Sequence, residues 1–272
     1  MIAILAFVDA SATSLLVFAA ICIAILASFV GAAGYTATSR TDAIRVMWRL
    51  GVGLALYCSA IAGLVYSGLF ERAFLPFGPM FLVGTVALAV AVAFTPLGFR
   101  IAKRVPIAWL VLFQAFRLPL ELVLHDWHSS GTVPETMTWT GSNWDIVTGV
   151  MACLACAFVG KSRWLAWLFN VVGIVLLLNV GRVAILSSPV PFGWDVEPKL
   201  ELILYLPYAY IVPLCVGGAA LGHAMLTRRL VSQPATKAGW PQAVGQPFGR
   251  IGPSDKPSGS LRLDGEEAGH DA

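Results

Sequence analysis

Long apolar segments separated by short polar ones follow one another along the first 229 residues of the chain. A helix needs roughly 20 apolar residues to cross a hydrocarbon core of about 30 Å, and most of these segments reach that length. The pattern predicts an all-α, polytopic membrane helix bundle in residues 1–229, with about seven transmembrane helices at approximately 11–34, 46–67, 79–97, 107–125, 145–160, 164–187 and 200–226. Residues 230–272 change to Pro, Gly, Ser, Gln and mixed charge, and this composition predicts a disordered cytoplasmic tail.

Composition supports the membrane class. Of the 272 residues, 58% are hydrophobic and 12% are charged, whereas soluble domains carry roughly 25% charged residues. The lipid bilayer is therefore the first expected partner. The net charge of +3 is spread over loops and tail, so it gives no indication of nucleic-acid binding. The sequence contains no Walker loop, GxGxxG or HExxH motif, and it identifies neither a cofactor nor an oligomeric state.

Basic residues predict the orientation of the bundle, because Lys and Arg collect in cytoplasmic loops. Alternate connections hold most of them: Arg40, Arg45, Arg49, Arg100, Lys103, Arg104, Lys161, Arg163, Arg228 and Arg229. The other connections hold only Arg72 and Lys199. This alternation predicts an N-terminus outside and a C-terminus in the cytoplasm.

The most informative polar pattern lies in the fourth predicted helix. Gln114, Arg117, Glu121, His125 and His128 are spaced by three, four, four and three residues, so they form one stripe on a helix with 3.6 residues per turn. Ionisable residues inside a membrane usually face the bundle interior and pair with one another. Glu121 is the expected partner of Arg117, and the stripe predicts a polar pocket that opens to the outer face.

Proline residues predict distortions near this stripe and in the last helix. Pro119 removes a backbone hydrogen bond beside Arg117, and Pro207 and Pro213 predict kinks in the seventh predicted helix.

Two other helices carry polar groups at a similar depth. Asn179 and Arg182 lie in the outer half of the sixth predicted helix, and Glu201, Tyr205 and Tyr208 lie at the start of the seventh. If they converge with the stripe, two arginines and two carboxylates balance in charge, as a site of low dielectric requires. Asn179, Arg182 and Tyr205 therefore join the candidate ligand-binding residues.

The loop after the fourth helix contains no Lys or Arg and could cover the pocket with Trp139 and Trp144. Ser142 followed three residues later by Asp145 predicts a capping arrangement at the start of the fifth helix. The alternative is that Asp145 takes part in the pocket, and both interpretations stay open.

Metal and redox chemistry have weaker signals. His125 and His128 are spaced for two ligands of one metal, with Glu121 or Glu135 as a third, but we assign no metal. Cys153 begins a CxxC sequence inside an apolar helix, where no helix N-terminus lowers a thiol pKa.

Two resemblances follow from particular segments. "NVGRV" at 179–183, together with Cys153, resembles distantly the membrane transpeptidases of the exosortase and archaeosortase type. Their usual Ser/Ala-Gly after the cysteine is missing, and so is their histidine in the outer half of the last helix. "FRLPLELVL" at 116–124, "MTWTGSNWDIVTG" at 137–149, "LSSPVPF" at 186–192 and the stretch 205–230 resemble an uncharacterised family of bacterial multi-pass inner-membrane proteins. That resemblance implies a bacterial inner-membrane location and no particular activity.

Three functions remain open from the sequence. The favoured one is binding, for sensing or transport, of a small anionic or lipid-like ligand held by Arg117 and Arg182 and lined by aromatic residues. The first alternative is an enzyme acting on a lipid-linked substrate at the outer face, with Glu121 or His125 as general base. The second is a structural or assembly protein in which the polar pairs only fix the packing of the helices.

Overall fold

The computed structural model describes residues 7–232, and within this range the chain is helical and contains no strand. The α-helices of this range, in chain order, are α1 (Ala12–Tyr35), α2 (Arg40–Tyr66), α3 (Leu69–Arg72), α4 (Phe74–Ala93), α5 (Pro96–Arg104), α6 (Ile107–Leu112), α7 (Arg117–Ser129), α8 (Ile146–Ala155), α9 (Arg163–Ser187) and α10 (Gly217–Ser232). The predicted all-α fold is confirmed for this range.

Six stretches of the described range are long and apolar enough to cross a membrane: α1, α2, α4, Ile107–Ser129, α9 and Tyr208–Ser232. The fifth predicted helix, 145–160, is instead the ten-residue α8. At 1.5 Å per residue it is about 15 Å long, half the thickness of a hydrocarbon core. The count of seven spanning helices is therefore not supported.

Helix starts follow local polar residues. The side chains of Ser11, Ser39, Thr95 and Ser162 each accept a hydrogen bond from the backbone N–H three residues later, and so cap α1, α2, α5 and α9. Thr95 is followed by Pro96 at the first helical position, which begins a new helix. The third predicted helix, 79–97, is consequently divided: α4 ends at Ala93, and the amphipathic α5 follows it.

The run Ile107–Ser129 changes its geometry near the middle. A 3-10 turn, Phe113–Phe116, separates α6 from α7, and Pro119 is the third residue of α7. Proline is tolerated there because N–H groups of the first helical turn lack helical partners. The distortion predicted around Pro119 is thus present as a tighter turn directly before Arg117.

The last membrane stretch is the most buried helix of the described range. In its apolar window 78% of residues are buried, against 50% or less in the other five. It begins irregularly, with 3-10 turns at Leu202–Leu204 and Tyr208–Tyr210 and a π-helical turn at Ile211–Val216 that contains Pro213. The seventh predicted helix, 200–226, therefore begins as separate turns, and the distortions predicted at Pro207 and Pro213 fall in this irregular start, because prolines remove N–H donors.

The described part of this stretch continues as α10 to Ser232, three residues beyond the predicted boundary at 229. The remaining residues of the predicted tail, 233–272, lie outside the described residues, as do residues 1–6.

Hydrogen bonds between elements define two ends of the bundle. At the basic end, Arg104 donates to the Thr36 carbonyl, and Arg163 donates to the Leu230 carbonyl. The loop end comprises residues 130–145 and 188–207. The Thr136 hydroxyl of the first segment contacts the hydroxyl of Ser187, the last residue of α9, at 2.7 Å. The candidate polar residues lie towards the loop end.

Candidate functional site

Arg117 and Asp145 form a buried ion pair. Arg117 is the first residue of α7 and is 1% exposed, and its Nη1 donates to Asp145 Oδ1. Asp145 stands directly before α8, in the N-cap position, but its side chain makes no capping hydrogen bond. The capping interpretation of Asp145 is therefore wrong, and the carboxylate belongs to the polar site.

Glu121, the partner expected for Arg117, makes no ion pair with it in the structure. Side chains on a helix lean towards its N-terminus, so an arginine leans away from a glutamate four residues after it. Glutamate before the cation is the favourable order at this spacing, and here the order is reversed. Asp145 reaches the guanidinium from another helix instead.

Asn143 connects the remaining polar groups and was not among the predicted site residues. Its Nδ2 donates to Glu121 Oε1 at 2.8 Å and to the Met137 carbonyl at 3.0 Å, and its Oδ1 accepts from the Asp145 N–H at 3.2 Å. The side chain is fully buried. Two features of the sequence could have indicated Asn143 as a site residue: it stands two residues before Asp145, and it lies in the loop expected to cover the pocket.

A close helix contact holds Asp145 near Arg117. Gly149, one turn after Asp145 in α8, packs so tightly on α7 that a Cβ at this position would lie 2.6 Å from the Leu118 backbone nitrogen. Only glycine permits this approach without movement of a helix backbone.

The loop that supplies Asn143 is fixed at both ends. Gly131, with φ +79°, ends α7 in a Schellman arrangement, in which the Thr132 N–H donates to the Trp127 carbonyl and the Gly131 N–H to the His128 carbonyl. Further along, Asn179 of α9 donates to the Ser142 carbonyl at 2.8 Å. The loop is therefore tied to α9 beside the polar site.

The four polar residues Arg117, Glu121, Asn143 and Asp145 line a cavity, here called the loop-end cavity, that offers about 80 Å³ to the centres of water-sized molecules. The rest of its lining is mainly aliphatic and comes from α4, α7, α9 and the last helix. Arg117 Nε and Nη2 and Glu121 Oε2 are buried there without hydrogen-bond partners. Buried polar atoms are normally paired, and leaving one unpaired costs about 1–3 kcal/mol.

The charges of the cavity do not balance as expected. One guanidinium faces two carboxyl groups, because Arg182 lies elsewhere. With both carboxyls ionised the site holds one uncompensated negative charge, which is unfavourable in a region of low dielectric.

Four predicted site residues lie outside the cavity lining. His125 stacks on Trp139 with ring centroids 4.3 Å apart, and Tyr205 stacks on Phe7 at 4.0 Å. The other two, Asn179 and Arg182, contact each other: Arg182 Nη2 donates to Asn179 Oδ1 at 2.9 Å. The structure thus does not bring His125, Asn179, Arg182 and Tyr205 into the described lining of this cavity, and a ligand-binding role for these four residues stays a prediction.

The expected aromatic lining is also wrong. Trp144 is 59% exposed, and Arg182 lies over the Trp194 ring, 5.7 Å from its centroid. Tyr208 accepts from the Ala10 N–H at 2.8 Å, away from the cavity. The described lining beside the polar residues is mainly aliphatic, and its aromatic members are Phe74 and Phe116.

The residues considered for metal binding and redox chemistry are not arranged for either in the described part of the chain. His128 Nδ1 contacts the Val133 carbonyl at 3.3 Å, and residues 7–232 contain no group of three His, Cys, Asp or Glu side chains placed to hold a metal. Cys153 lies exposed on α8.

A comparison with protein-family models assigns the chain to a family. Residues 75–231, more than half of its length, match the model of a family described as Domain of unknown function (DUF8737). No curated protein and no solved structure matches the chain. All four polar residues of the loop-end cavity fall within the matched range, while the exosortase likeness and the bacterial origin stay predictions. The chain belongs to the DUF8737 family.

Proposed function

We propose that this membrane protein binds a lipid-like amphiphile in the loop-end cavity, with the head group on Arg117 and Glu121 and the chain against the aliphatic lining. The observation that carries the proposal is the set of unpaired buried atoms, two guanidinium nitrogens and one carboxyl oxygen, at one side of an apolar cavity. In the predicted orientation, with the basic end in the cytoplasm of a bacterium, the cavity belongs to the extracytoplasmic half of the inner membrane.

The unpaired atoms define the head group. Arg117 offers donors and Glu121 Oε2 offers an acceptor, so a ligand that both accepts and donates satisfies them together. A hydroxyl group does this. A net negative ligand would add to the charge of two carboxyls, so we propose a neutral head group in place of the anionic one expected from the sequence.

The size of the cavity limits what enters it. Ligand pockets commonly measure about 300–1,000 Å³, and the loop-end cavity offers about 80 Å³. It accommodates a head group and the first carbons of a chain. The rest of the chain would follow the aliphatic surface between α4 and α9, where Gly181 faces Leu82.

The test measures thermal unfolding in a non-ionic detergent with dodecanol, methyl dodecanoate or dodecane. Dodecanol is expected to raise the midpoint by about 5–10 °C at a 100-fold excess over its dissociation constant. The ester, which lacks a donor, and dodecane should give smaller shifts. Equal shifts for all three compounds would contradict the proposal.

Three variants test where dodecanol binds and which side chain its head group contacts. Gly181→Leu should fill the cavity and remove the dodecanol shift, whereas Gly84→Leu, whose position on α4 faces open space, should keep it. Glu121→Gln should reverse the preference towards the ester, because the amide oxygen is held by Asn143 and its NH₂ then faces the ligand as a donor. If Gly181→Leu and Gly84→Leu respond alike, the compounds bind elsewhere.

A further inference from the structure

A second cationic site lies at the basic end, between α5 and α10. A pocket there offers about 120 Å³ to water-sized molecules and is lined by Phe99, Ala102, Lys103, Arg228, Arg229 and Ser232. We call it the basic-end pocket. Three of these six described residues are cations, and none of the six is a carboxylate.

Backbone contacts hold two of these cations in place. Arg228 Nη1 donates to the Ala93 carbonyl at 2.7 Å, at the end of α4, and Arg229 Nη1 donates to the Ala102 carbonyl at 2.9 Å, near the end of α5. These bonds satisfy carbonyl groups that a helix C-terminus leaves unpaired. The guanidinium groups are thereby fixed before any ligand arrives, which lowers the entropy lost on binding.

Other donors of the residues that line the pocket have no hydrogen-bond or ion-pair partner among the described residues. Arg229 is 5% exposed, and its Nε is buried without a hydrogen-bond partner. The ammonium of Lys103 lies 6.0 Å from the centroid of the Phe99 ring and makes no ion pair with a described carboxylate. Three like charges around one small pocket repel each other unless an anion lies between them.

Aromatic residues beside the pocket indicate a membrane surface. Arg228 lies over the rings of Phe94 and Phe99, at 5.3 and 4.7 Å from their centroids. Phe94 is 63% exposed and Phe99 is 40% exposed. Apolar rings next to cations suit the boundary between head groups and acyl chains, where an amphipathic helix such as α5 lies.

We propose that the basic-end pocket binds a phosphate group, supplied by the head group of an anionic phospholipid. Arginine and lysine donors recognise phosphate oxygens, and basic pockets between membrane helices bind phospholipid head groups. This site is separate from the loop-end cavity and does not depend on the function proposed for it.

The test uses the full chain in mild detergent and compares its unfolding midpoint with phosphatidylglycerol and with phosphatidylcholine. A second arm compares inorganic phosphate with chloride at equal ionic strength. Phosphatidylglycerol is expected to raise the midpoint by about 2–4 °C more than phosphatidylcholine. A rise with inorganic phosphate as large as that with phosphatidylglycerol would support the phosphate site and assign it to a soluble phosphate compound.

Matched variants test whether the basic-end pocket causes the shift in the unfolding midpoint. Lys103→Gln should lose about half of the shift, and Ser232→Asp, which adds a negative charge to the lining, should abolish it. Lys161→Gln removes another exposed lysine of the basic end and should respond like the unmodified protein. The proposal is overturned if neither phosphatidylglycerol nor phosphate raises the midpoint. It is also overturned if Lys103→Gln and Ser232→Asp respond like Lys161→Gln.

Discussion

Two buried polar clusters in residues 7–232 differ in how many of their polar atoms have no hydrogen-bond partner. In the second group, His223 Nδ1 contacts Asn170 Oδ1 at 3.0 Å, and Asn170 Nδ2 donates to the Thr227 hydroxyl at 2.7 Å. Gly173 packs against the imidazole, since a Cβ there would lie 2.2 Å from His223 Cε1. These residues link α9 to α10, none of them lines the loop-end cavity, and His223 Nε2 alone is unpaired among their side-chain atoms.

The loop-end cavity has the opposite arrangement. Arg117 and Glu121, two residues that line the cavity, keep three buried atoms without hydrogen-bond partners, although Asp145 contacts Arg117 and Asn143 contacts Glu121. Buried polarity in a membrane bundle therefore has two uses. Where hydrogen bonds and tight packing involve nearly all polar atoms, as around His223, the polar residues join helices. Where several polar atoms of residues that line a cavity have no partner, as at Arg117 and Glu121, we propose that they bind a ligand.

The largest expected effect concerns the ion pair at the cavity. Asp145→Ala should destabilise the protein by about 3–5 kcal/mol, because it leaves the buried Arg117 charge uncompensated. The double variant Arg117→Met with Asp145→Leu should recover most of that loss. Glu121→Gln should cost less than about 1 kcal/mol, because Glu121 makes no ion pair and the amide oxygen can still accept from Asn143. Unfolding in mild detergent measures all three, and equal losses in Asp145→Ala and Glu121→Gln would contradict the pairing.

A second prediction tests the contact that positions Asp145. Gly149→Ala forces a Cβ against the α7 backbone and should cost about 2–3 kcal/mol. Gly160→Ala, at a position with nothing within 4 Å of the added carbon, is the control and should be nearly neutral. Comparable midpoints for both variants would mean that α8 can move away from α7 at little cost.

The third prediction separates the two polar groups directly. Asn170→Ala removes the partner of His223 Nδ1 and should cost about 1–2 kcal/mol. The dodecanol shift should remain unchanged, because neither residue lines the loop-end cavity. A thermal titration of the variant measures both quantities, and loss of the shift would show that the groups are coupled.

The smallest effect concerns Glu201, a half-buried carboxyl at the loop end. Partial burial raises its pKa, and the nearby Glu197 carboxylate raises it further. The folded protein then holds this proton more tightly than the unfolded chain, so ionisation opposes folding. This destabilisation is absent at pH values below about 4.3, the pKa of the carboxyl in the unfolded chain. It grows with pH until the pH exceeds the pKa of the carboxyl in the folded protein. Glu201→Gln should therefore stabilise the protein at neutral pH by less than about 0.5 kcal/mol after solvent screening and have no effect near pH 4. Equal effects at both pH values would contradict this.

Much of the architecture could be predicted because it depends on local properties of the chain. The length of apolar segments predicts spanning helices, and the four-residue spacing of Arg117 and Glu121 correctly places both on the cavity side of one helix. The length of α8 could not be obtained this way, since hydrophobicity continues through residues 156–160 after the helix has ended at Ala155.

The sequence by itself determined the membrane class, the approximate helices and the presence of ionisable side chains that must find partners in the bundle. The tertiary structure alone decided which partners these are. Arg117 pairs with a residue 28 positions away because Gly149 lets α8 approach α7. Arg182 stays outside because Asn179 and Trp194 hold it elsewhere. Spacing along one helix specifies a face, but contacts between helices depend on packing that no local pattern contains.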